Sequence, residues 1–159
     1  MPTEDLVVIL AELQARVRSA LQSMLPDRMP DVRELTARVE QRTLPYGRVG
    51  IMEVGHSDFT ISSDSLLVSA QIIAVVPVQN DSPQATQFQL ARVLHEALFG
   101  PRYEATLLTL PSGRVARLIP STRTMFLSDV EQTLAERLPD ATSVVMTIGI
   151  EVPLGGQVF

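Results

Sequence analysis

The 159-residue chain has no cysteine and no tryptophan. Without cysteine there is no disulfide, no thiolate metal site and no thiol nucleophile. Aromatic residues are scarce, at 4%, so aliphatic side chains must build most of the core. Charge is also sparse: 19% of residues are charged against 45% hydrophobic, with a mean hydropathy of +0.18. A surface so lightly charged leaves apolar area for a partner, or other copies of the chain, to cover. Basic residues do not dominate. Thirteen cations against 18 anions give a net charge of −5, which excludes a protein that grips nucleic acid through its phosphates. It does not exclude a surface that DNA slides past. No apolar run approaches the roughly 20 residues that a membrane-spanning helix requires. The opening residues do not read as a signal peptide, because Glu4 and Asp5 stand where basic residues belong, and Glu12 and Arg16 interrupt the apolar run. A soluble protein is expected, with one domain over residues 1–159, because there is no internal repeat, low-complexity tract or linker.

What is present is ordered punctuation between apolar segments. Thr3 suits a helix N-cap, with Glu4 and Asp5 facing the helix dipole. Leu6, Leu10, Leu13, Val17, Leu21 and Met24 recur at spacings of three and four, predicting a helix over about residues 4–25 that Pro26 and Pro30 end. Residues 31–43 fit two patterns. Val32, Leu35 and Val39 suit a helix, whereas Leu35, Ala37, Val39 and Gln41 suit a strand, and a strand over Glu34–Thr43 is favoured. Leu44-Pro45-Tyr46-Gly47 reads as a turn. Arg48–Val54 reads as a short strand, and Gly55-His56-Ser57-Asp58 as a loop or hairpin tip. The stretch SLLVSAQIIAVVPV from Ser65 is apolar on both faces, so a central strand covered on both sides is expected.

Ser82 is a candidate N-cap, with Pro83 suited to the first helical position. The helix it opens has a broad apolar face of Phe88, Leu90, Ala91, Leu94, Ala97 and Leu98, and Gly100-Pro101 stops it. Ala105–Leu110 and Arg114–Ile119 flank Pro111-Ser112-Gly113 as a hairpin, and Pro120–Thr124 is read as a loop. Leu127–Leu138 has helical spacing, a short extra helix. Thr142–Val152 alternates cleanly as a last strand, Val144, Met146, Ile148 and Ile150 on one side. The fold class expected is α+β, a mainly antiparallel sheet packed by two principal helices.

No catalytic set emerges. His95 stands on a helix with no ligand-spaced partner, and reads as a rim or core histidine. His56-Ser57-Asp58 holds three triad residue types, but contiguous loop residues cannot assemble triad geometry. Asp64, Glu104, Asp129, Glu131 and Glu151 are scattered and default to solvated surface. Gly155-Gly156 lacks the strand–loop–helix order of a phosphate site. Arg114 and Arg117 sit on opposite faces of a regular hairpin strand, guarding an edge or bridging to a neighbouring subunit. The apolar end Val158-Phe159 is either free or docked on a partner.

The order of elements, with DLVVILAELQARVRSAL opening the chain, then TQFQLARVLHEALFG, RVARLIPS and SVVMTIGIEVPL, resembles the tail-terminator and tail-completion proteins of tailed bacteriophages. The likeness spans most of the chain, and FLSDVEQTLAERLPD stands as an added element. It implies a virion protein of the tail or neck, made in the host cytoplasm, that forms a ring, usually hexameric. Such a ring caps the finished tail tube and joins it to the head-tail connector, and DNA passes through its lumen without specific binding. It implies no catalysis, cofactor, metal or membrane. The contacts expected for such a subunit fall at His56, Asp58, Arg102, Tyr103, Arg114, Arg117, Val158 and Phe159. The alternatives are another neck component, such as a head-completion or connector-adaptor protein, and a small enzyme with a carboxylate pair beside a histidine.

Overall fold

The computed structural model describes residues 3–35, 44–57, 65–125 and 141–153. The protein is α+β, and its described residues form two helices against a six-stranded, mostly antiparallel, curled sheet. In chain order the elements are α1 (Thr3–Met24), β1 (Asp31–Glu34), β2 (Tyr46–Ser57), β3 (Ser65–Pro77), α2 (Pro83–Phe99), β4 (Thr106–Thr109), β5 (Val115–Met125) and β6 (Ala141–Pro153). The strands lie in the order β1-β2-β3-β6-β5-β4, and β1 alone pairs parallel, with β2.

The core follows from the register of β3 against β6. Val68 faces Ile150, Ala70 faces Ile148, Ile72 faces Met146 and Ala74 faces Val144. All eight are buried, and each large aliphatic side chain so placed contributes about 1.5–3 kcal/mol. Both helices lie on this side. Ile9, Leu13, Val17 and Leu21 of α1, and Leu90, Leu94 and Leu98 of α2, are fully buried against it. α1 covers β1 and β2, α2 covers β5 and β6, and the helices pack on each other. Glycine is required where α1 comes closest: a Cβ at Gly47 would stand 2.8 Å from Val17 Cγ1.

The predicted ends of α2 hold in detail. Ser82 Oγ accepts from Ala85 N at 3.2 Å, Pro83 opens the helix, and Gly100 N donates to Glu96 O at 2.8 Å with φ +76. The β4–β5 hairpin and the inward set of β6 also stand as expected.

Several expectations are corrected. Gly55, His56 and Ser57 do not form a loop. They continue β2, paired with Leu67, Leu66 and Ser65, because β3 is long enough to offer ladder partners to its first residue. Tyr46 and Gly47 likewise belong to β2 rather than to a turn. A strand is seen at Asp31–Glu34, where pairing with Tyr46–Val49 sets its register, whereas residues 36–43 of the strand expected over Glu34–Thr43 lie outside the described residues. Pro120–Thr124 lies within β5 instead of a loop, and a register irregularity between Ile119 and Arg123 accommodates the proline. β3 is central, but among the described residues helices cover one of its faces only: on the other Leu67 is 38% exposed, Ser69, Gln71 and Ile73 are half-buried, and Val75 is buried. The extra helix expected at Leu127–Leu138 lies outside the described residues.

Candidate interaction surfaces

Helix α2 carries two apolar stripes. Thr86, Leu90, Leu94 and Leu98, spaced by four, face the core. Phe88, Ala91 and His95, spaced by three and four, run along a different side of the cylinder. Phe88, expected in the buried face, is 69% exposed. Leu90 and Leu94 already fill the contact with the sheet, and Phe88 lies two residues from Leu90, about half a turn round the helix.

The second stripe lines an apolar groove of about 400 Å³ with Arg92, Tyr103 and Thr124. His95 organises it. Its Nε2 lies 2.9 Å from Thr124 Oγ1 on β5. The Tyr103 ring meets it edge-on at 5.5 Å, and Phe99 lies at 6.4 Å. Burial pushes the imidazole below its usual range by desolvating the charged form. At the rim, Arg92 Nε lies 3.5 Å from Glu96 Oε1. Tyr103 reaches the groove from the turn after α2, where its φ of 55 places it in the left-handed region.

A second surface is the side of the sheet turned away from the helices. Cross-strand pairing sets Leu107, Arg117, Glu151 and Leu67 in one row across β4, β5, β6 and β3. Arg117 Nη2 bonds Glu151 Oε2 at 3.3 Å. Leu107 is 68% exposed and Val115 41%. Towards β1 the same side carries Arg48, which is buried. It donates to Asp31 O at 3.0 Å, Gly47 O at 2.7 Å and Asp31 Oδ2 at 3.3 Å, and lies 5.0 Å over the Tyr46 ring. That cluster ties β1 to β2.

The residues expected to make contacts are dispersed. Tyr103 joins the groove, and Arg102 lies beside it on the exposed turn. Arg117 belongs to the open side of the sheet. Arg114, half-buried, precedes β5, and its carbonyl accepts from Leu110 N. His56 is placed in β2. Asp58, Val158 and Phe159 lie outside the described residues, as do Asp64, Asp129 and Glu131. Of the remaining carboxylates, Glu104 is exposed in the turn before β4, and Glu151 lies across the sheet from His95. Among the described residues no group of three His, Cys, Asp or Glu could hold a metal ion, and no helix is long and apolar enough to cross a membrane.

Sequence reasoning missed Asp5, Arg16 and the second stripe of α2. The stripe leaves a trace in the sequence, because Phe88, Ala91, Arg92 and His95 follow helical spacing independently of Leu90, Leu94 and Leu98. No protein-family model matches the chain, and no curated protein matches it.

Proposed function

We propose that this chain is a structural protein of a phage tail or neck that acts by assembling into a ring, as a tail terminator does. The ring, six copies in the proteins it resembles, closes the tail tube, meets the head-tail connector, and lets DNA through its lumen. The observation that carries this is the pair of exposed apolar surfaces on the two sides of the sheet: Phe88 with Tyr103 at the groove, and Leu107 with Val115 on the open side. A lightly charged chain with such flanks is built to be covered. The order of elements supports the same conclusion: a long first helix, a long central strand, a second helix, a hairpin and a final strand. So does the net charge of −5, which keeps a lumen from binding the DNA it conducts.

Light scattering after size-exclusion chromatography, alone and with tail-tube protein, tests this. A discrete closed oligomer is expected, and electron microscopy should place it at the head-proximal end of the tube. A ring located on the head side of the joint instead assigns the chain to another neck position. A monomer under every condition overturns the proposal.

A further inference from the structure

We draw no further inference here: the strongest candidate, the apolar groove that Phe88, His95 and Tyr103 line along α2, has nothing among the described residues to show what covers it.

Discussion

Asp5 and Ser112, 107 residues apart, are joined by two hydrogen bonds. The buried Asp5 carboxylate accepts from Ser112 Oγ at 2.8 Å and from Ser112 N at 3.3 Å. The first turn of α1 is thereby latched to the turn between β4 and β5, at the far edge of the sheet from β1. The carboxylate also faces the positive end of its own helix, which stabilises it further.

Breaking this latch should loosen one end of the fold. Removing a hydrogen bond to a charged group typically costs about 1.5–3 kcal/mol. Asp5→Ala and Ser112→Ala should each lower the urea midpoint. The double variant should lose less than the sum, since both remove the same contact. Strict additivity would mean that the two residues act separately.

Arg16 is a second fastening. From α1 it donates to Leu98 O at 2.7 Å and to Thr106 Oγ1 at 3.2 Å, while Glu12 holds its Nε at 2.9 Å. A cation at the end of α2 meets the negative end of the helix dipole. Arg16→Met keeps the aliphatic stem and removes the bonds, so a loss of about 1–2 kcal/mol is expected. Hydrogen exchange should quicken at the last turn of α2 and at β4. Arg16→Lys should recover only part, because an ammonium lacks the planar fork.

Gly47 lies too close to α1 to carry a side chain. Gly47→Ala brings a methyl within 2.8 Å of Val17 Cγ1, and overpacking of this kind costs about 1–3 kcal/mol. Adding Val17→Ala should restore part of the loss, visible as a higher thermal midpoint than Gly47→Ala alone. A double variant that is less stable by the full sum of the single losses would place the strain elsewhere.

His95 makes stability depend on pH. Burial lowers its folded pKa below the ordinary histidine value of 6.5 by desolvating the charged form, so the unfolded chain takes up the proton first. Its contribution is therefore complete above about pH 6.5 and is lost as pH falls through the lower, folded value. Comparison of urea midpoints between neutral and mildly acidic pH should find a drop in the wild type. His95→Gln should show a smaller drop. An equal drop in both proteins would assign the acid sensitivity to other groups.

Local chemistry settled much of this molecule before folding is considered. The three-and-four spacing of Leu13, Val17 and Leu21 makes α1. Ser82-Pro83 and Gly100 bound α2, Pro111-Ser112-Gly113 turns a hairpin, and the alternation along Val144–Ile150 builds β6. These signals are legible because each depends on neighbours a few residues apart. Other features depend on which surface meets which. The loop expected at His56 became strand because β3 continues beside it. Phe88 was left outside because Leu90 and Leu94 had already filled the contact with the sheet. Asp5 and Arg16 look like ordinary helix surface until Ser112 and Leu98, far along the chain, are brought against them. Spacing along a chain fixes periodicity and caps, whereas burial and hydrogen-bond partners are set by contacts between distant segments, and only the tertiary structure decides those.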